Sequence, residues 1–178
     1  EAYEYYLKAK YIYDKRENLE DAETARGLLN KAIELDDTLI EAIDILGDTY
    51  SNQGEFDIAL STYKQAIEKA TKYDNHHALG FVNSSIAYLY YMKGQYDKSL
   101  EFNFRSIKIK KKLNDIMGLS ASYCALSNIL RNQGKLDEAL KYIILSTDLT
   151  KKIDDRKGMA PDIHNMGLIY YQLGDYDR

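Results

Sequence analysis

Cys124 and His164 stand 40 residues apart, a thiol and an imidazole. Nucleophilic catalysis uses that pair when the base lies within hydrogen-bond reach and a third group orients it. No orienting acid or oxyanion motif accompanies them here, so Cys124 reads as a buried or groove thiol. His76 and His77, with Asp74 nearby, form the second constellation. Adjacent residues on a helix point in different directions, and no second pair carries metal-ligand spacing. Those three read as a polar loop between structural units. No catalytic residue, metal or cofactor is expected.

The densest charge run is "RSIKIKKKLND" (Arg105–Asp115). Lys72, Lys112 and Lys152 recur at one spacing, as do Lys111 and Lys151. The plainer reading is cations complementing helix C-termini; an electrostatic contact with an acidic partner or nucleic acid is the sharper one. No base-reading motif accompanies the lysines, and the net charge of −4 argues against nucleic acid as a partner.

The elements that carry these residues follow from composition and spacing. The 178 residues contain 17 tyrosines, one proline and no tryptophan. Scarce proline with ten glycines favours long helices. One cysteine permits no internal disulfide, which fits a reducing compartment. No apolar run approaches the roughly 20 residues of a membrane span. A soluble, cytoplasmic protein without membrane contact is expected.

Gly54, Gly94, Gly134 and Gly174 recur every 40 residues, as do Asp57, Asp97, Asp137 and Asp177. Gly47, Ala87, Ser127 and Gly167 keep one position small. Small residues return at Ala59, Ser99 and Ala139, then at Ala66, Ser106 and Ser146. Apolar residues between them fall at helical spacing. Each glycine is expected to end a first helix, where a left-handed residue costs glycine little. Each aspartate should start a second helix, complementing its dipole and accepting a free backbone N–H. The unit is a helical hairpin, and its recurrence predicts a stacked array. The expected divisions are 1–39, 40–79, 80–119, 120–159 and a final 160–178 holding a first helix alone. That last helix has an apolar side without a following partner, so self-association through it is a further expectation.

"LGDTYSNQGEFDIALSTYKQAI" (Leu46–Ile67) resembles the tetratricopeptide repeat, with Leu-Gly-x2-Tyr followed by Ala-x3-aromatic and a further Ala. The family tryptophan is replaced by Ile43, Asn83, Tyr123 and Ile163. The family proline is replaced by Asp37, Thr71, Lys111 and Lys151, and the units resemble the 40-residue type of kinesin light chain and of bacterial signalling adaptors. Asn103 departs from the pattern in an aromatic slot. "AETARGLLNKAIELDD" (Ala22–Asp37) reads as a second helix, partnered by "AYEYYLKAKYIYDKR" through Ala9 across the turn "ENLED". This opening also resembles the first unit of arrays attached to nucleotide cyclase domains.

The resemblance implies an all-α solenoid of antiparallel hairpins wound as a right-handed superhelix, lined inside by the first helix of each hairpin. Carried over by position, the partner-binding residues are Asp44, Asp48, Phe81, Tyr88, Tyr91, Asn128, Arg131, Asn132, His164, Asn165 and Tyr171. Tyrosines would anchor a peptide or helix while Asn128, Asn132 and Asn165 meet its backbone. Asp44 and Asp48 stand against a clamp for a partner's terminal carboxylate. The expectation is a non-enzymatic interaction scaffold for a protein or peptide, part of a larger bacterial signalling protein. A spacer with an empty groove and an enzyme built on Cys124 and His164 are the alternatives.

Overall fold

The computed structural model describes residues 1–175, so Asp177, Arg178 and the far end of the expected 160–178 unit lie outside the described residues. The described chain is all-α. Its helices are α1 (Ala2–Lys15), α2 (Leu19–Leu35), α3 (Ile40–Asn52), α4 (Phe56–Lys72), α5 (His76–Met92), α6 (Tyr96–Lys112), α7 (Ile116–Asn132), α8 (Leu136–Lys152) and α9 (Arg156–Leu173). No strand occurs among the described residues. The chain divides into two compact units, Glu1–Leu89 and Tyr90–Arg178.

In the first unit α1 packs on α2, α2 on α3 and α3 on α4, while α1 also touches α3. Its core gathers Tyr6, Ala9, Leu29, Ala32, Ala42 and Leu46. Ala9 and Ala25 are fully buried, which lets α1 and α2 approach closely. In the second unit α6 packs on α7, α7 on α8 and on α9, and α8 on α9. Its core is built on Ile107, Leu126, Leu130, Ala139, Ile143 and Ile169. The small positions are closed contacts in both units: Ala59, Ala66, Ser99, Ser106, Ala139 and Ser146 are all buried. At two of the positions where serine stands at a small site, its hydroxyl finds a backbone acceptor. Ser127 donates to the Ala139 carbonyl and Ser146 to the Ser120 carbonyl, each at 2.8 Å.

The glycines do what their spacing predicts. Gly54, Gly94, Gly134 and Gly174 have φ of 79°, 68°, 76° and 76°. In the first of these turns the Glu55 N–H donates to the Tyr50 carbonyl and the Gly54 N–H to that of Ser51, both at 3.0 Å. That pattern is the Schellman motif, which satisfies the last carbonyls of a helix.

The aspartates behave differently from expectation. Asp57, Asp97 and Asp137 lie in the first turns of α4, α6 and α8, where they complement the dipole. The cap positions are Glu55, Gln95 and Lys135, and no side chain caps the helix there. Lying one residue inside the helix, the aspartates are past the position from which a side chain can reach back to a free N–H.

A second turn, between hairpins, repeats the same hydrogen bonds without glycine. Asp74, Asn114 and Asp154 take φ of 53°, 53° and 52°. The next residues, Asn75, Asp115 and Asp155, accept from the backbone of Ala78, Gly118 and Gly158 at 2.9 to 3.0 Å. These caps start α5, α7 and α9 four residues before positions 80, 120 and 160. His76 and His77 therefore open helix α5 rather than lying in a loop, and Pro161 sits inside α9. The first turn is also shorter than "ENLED": α2 starts at Leu19, with Asn18 accepting from the Asp21 N–H at 2.9 Å.

Candidate functional site

In the first unit, α1, α3 and α5 line an open cavity of about 230 Å³, bounded by Tyr13, Asp48, Ser51, Asn52, Ser84, Ser85 and Tyr88. Helical spacing places Asp48, Ser51 and Asn52 on one side of α3. Tyr63, reaching from α4, donates its hydroxyl to Asp48 Oδ1 at 2.6 Å. Burial raises Asp48 to about 6, against the opposing pull of hydrogen bonds from Tyr63 and Ser85 and of the Arg16 charge. Burial and the Asp48 charge push Tyr13 up to about 12, and burial pushes Tyr63 upward as well. Asn52 Nδ2 donates to Tyr13 Oη at 2.8 Å, tying α3 to α1 at the cavity wall. Ser51 is buried and its Oγ has no partner. Asp44 lies one turn before Asp48 and is half-buried, while Phe81 and Tyr88 are exposed.

In the second unit the candidate residues lie on the end of α5, on α7 and on α9. Asn132 Nδ2 donates to Tyr91 Oη at 2.9 Å, repeating the Asn52–Tyr13 contact of the first unit. Tyr91 also leans on Tyr96, with ring centroids 6.0 Å apart. Asn128 Oδ1 and Arg131 Nε, three residues apart on α7, are buried without partners. Asn165 is buried and donates to Cys124 Sγ at 3.3 Å, so its amide is already committed. His164 and Tyr171 are exposed.

The thiol faces Asn165 and Asp162. Burial and the Asp162 carboxylate push Cys124 up to about 11, which leaves little thiolate at neutral pH. Asp162 itself is buried, its carboxyl oxygens 2.8 Å from Ser146 Oγ and 3.3 Å from Thr150 Oγ1, and burial raises it. His76 Nε2 stands 3.5 Å from Asp74 Oδ1 with both side chains well exposed. Among the described residues no three His, Cys, Asp or Glu side chains gather as a metal site. Lys72, Lys112 and Lys152 end α4, α6 and α8, each exposed.

Three residues of these sites carried no advance signal: Tyr13, Tyr63 and Asp162. Tyr13 belongs to a divergent first hairpin, and Tyr63 and Asp162 sit at positions that periodicity assigns to the core.

The tetratricopeptide repeat family matches residues 39–112 and again 119–153, together more than half of the chain. The chain belongs to the tetratricopeptide repeat family. No curated protein matches it. Among solved structures, this tetratricopeptide repeat chain is similar to the Rap protein complexed with Competence and Sporulation Factor, with a TM-score of 0.84 and 17% identity over 99% of this chain and 50% of that one. It is similar to aspartyl phosphate phosphatase F from Bacillus subtilis, with a TM-score of 0.82 and 16% identity over 94% of this chain and 45% of that one. A third likeness is to YrrB, a TPR protein with an unusual peptide-binding site, with a TM-score of 0.57 and 20% identity over 98% of this chain and 79% of that one. The tetratricopeptide repeats here thus span about half the length of the first two. At these identities the likeness concerns the fold. Among the described residues no helix is long and apolar enough to cross a membrane.

Proposed function

We propose that this chain is a protein-interaction module, holding an extended or helical peptide against the first-helix faces of its hairpins. The adaptor or sensing part of a larger bacterial signalling protein, cyclase-linked in one version, is the setting that fits. The carrying observation is the pair Asn128 Oδ1 and Arg131 Nε, buried on α7 without partners. Each such unmet atom costs about 1–3 kcal/mol. A peptide backbone offers a donor and an acceptor at every residue, and relieves both by small side-chain shifts. Tyr91, fixed by Asn132, stands on the same unit as an aromatic anchor. The Rap and YrrB structures, whose descriptions name a bound factor and a peptide-binding site, support the same reading.

Selection of random displayed peptides on the chain tests it, with Asn128→Ala and Arg131→Ala as counter-selections. Enriched sequences that bind the native chain and lose the double variant, at unchanged melting temperature, support the module. A selection that yields no enrichment, or one indifferent to both residues, rejects it.

A further inference from the structure

The cavity of the first unit is rich in hydrogen-bond acceptors. Asp48 contributes a carboxylate, which has about four acceptor sites. Tyr63 and Ser85 donate to it and leave the remaining sites open. Ser51, 3% exposed, adds a hydroxyl oxygen that has no partner. Asn52 spends its amide on Tyr13, so its carbonyl oxygen is the end left over. Across the cavity stand the rings of Tyr13 and Tyr88, the latter half exposed at the mouth.

The charge around this cavity has one dominant sign. Asp44 precedes Asp48 by one helical turn on α3, and Glu41 precedes Asp44 by another. Tyr13, Tyr63 and Ser85 face Asp48 as neutral groups, and Arg16 is the cation that acts on it. An anion entering here meets a half-buried carboxylate and a second one close behind. A cation on an apolar stem meets the opposite: charge-assisted hydrogen bonds at its head and aromatic surface along its stem.

We propose that this cavity is a specificity pocket for one basic side chain, lysine or arginine, of the bound peptide, with Asp48 and Ser51 receiving its cationic head. The pocket rests on the peptide-binding reading for its natural occupant, and its chemistry is testable without any peptide.

The test titrates the isotopically labelled chain with n-butylammonium and n-butylguanidinium, with butyrate and n-butanol as controls. Saturating amide shifts at Asp48, Ser51, Ser85 and Tyr88 are expected from the cations and not from butyrate. Asp48→Asn should weaken the cations at least about tenfold, the worth of one charge-assisted contact. Its carboxamide oxygen can still accept from Tyr63 and Ser85, and circular dichroism checks that the helices persist. Binding should also fall as the pH drops through about 6, where Asp48 becomes neutral. Ser51→Ala should weaken the cations without affecting n-butanol. Cation shifts spread over the acidic surface, retained in Asp48→Asn, or matched by butyrate would overturn the proposal. Selected peptides that need Asn128 and Arg131 yet show no preference for Lys or Arg would sink the pocket alone. Butylammonium bound in the cavity of a chain that enriches no peptide would sink the peptide module alone.

Discussion

Tyr63 of α4 lies so close over Gly47 of α3 that a Cβ at Gly47 would stand 2.5 Å from Tyr63 Cε1. This contact lets the tyrosine ring pass flat across α3 and deliver its hydroxyl to Asp48. Gly167 holds the equivalent repeat position in α9, and a Cβ there meets nothing within 4 Å. The two glycines should therefore respond oppositely. Gly47→Ala displaces the Tyr63 ring and should cost about 1–3 kcal/mol. Gly167→Ala should gain roughly 0.5–1 kcal/mol through helix propensity. Urea melts decide; similar responses at both sites would disprove the close contact as the cause.

The two kinds of turn make a second contrast. Gly94 has φ of 68° with open space around its Cα, so the backbone alone resists a side chain. Gly94→Ala should cost about 1–2 kcal/mol. Asn114 takes φ of 53° as a non-glycine residue. Asn114→Gly should then be neutral or stabilising by up to about 1 kcal/mol. Thermal melts giving the reverse order would contradict the left-handed geometry at either position.

The contrast also shows what the sequence reveals. The hairpin turns were legible because glycine marks a positive φ openly. The inter-hairpin turns were not, since Asp74, Asn114 and Asp154 are ordinary polar residues that only tolerate the same conformation. The helix starts at His76, Ile116 and Arg156 were hidden with them. The acidic character of α3 and the amides of α7 could be placed by repeat position. Their partners could not, because Tyr63 and Asn165 act across helices and each pairing depends on which neighbour happens to be small.

Asp48 makes stability depend on pH. Burial holds it at about 6 in the folded chain, while an unfolded aspartate titrates near ~3.9. Between those values the folded state binds more protons. Stability should therefore fall as pH rises from about 4 to about 6 and level off above, by on the order of 3 kcal/mol from this group. Asp162, raised by its own burial, acts in the same direction. Asp48→Asn should flatten its share of the slope, leaving that of Asp162. Denaturant midpoints at pH 4, 5, 6 and 7 for both chains give the answer. A native chain that gains stability over that range would contradict the buried carboxylate.

Asn103 makes the last contrast. It occupies on α6 the repeat position that Tyr63 holds on α4 and Ile143 on α8, both fully buried. Asn103 is 1% exposed, and its Oδ1 has no hydrogen-bond partner. Its neighbour Phe102 points elsewhere and stacks on Tyr90 with centroids 5.6 Å apart. A buried carbonyl left unmet costs about 1–3 kcal/mol, and leucine would replace it with apolar contact on the same branched frame. Asn103→Leu should therefore raise stability by about 1–3 kcal/mol, read as a higher denaturant midpoint with an unchanged slope. Asn103→Ala separates the two contributions, because it removes the unmet oxygen while opening a void. It should fall below Asn103→Leu by about the cost of that void, roughly 2 kcal/mol. A leucine variant less stable than the native chain would show that the Asn103 amide contributes more than its orphaned oxygen costs.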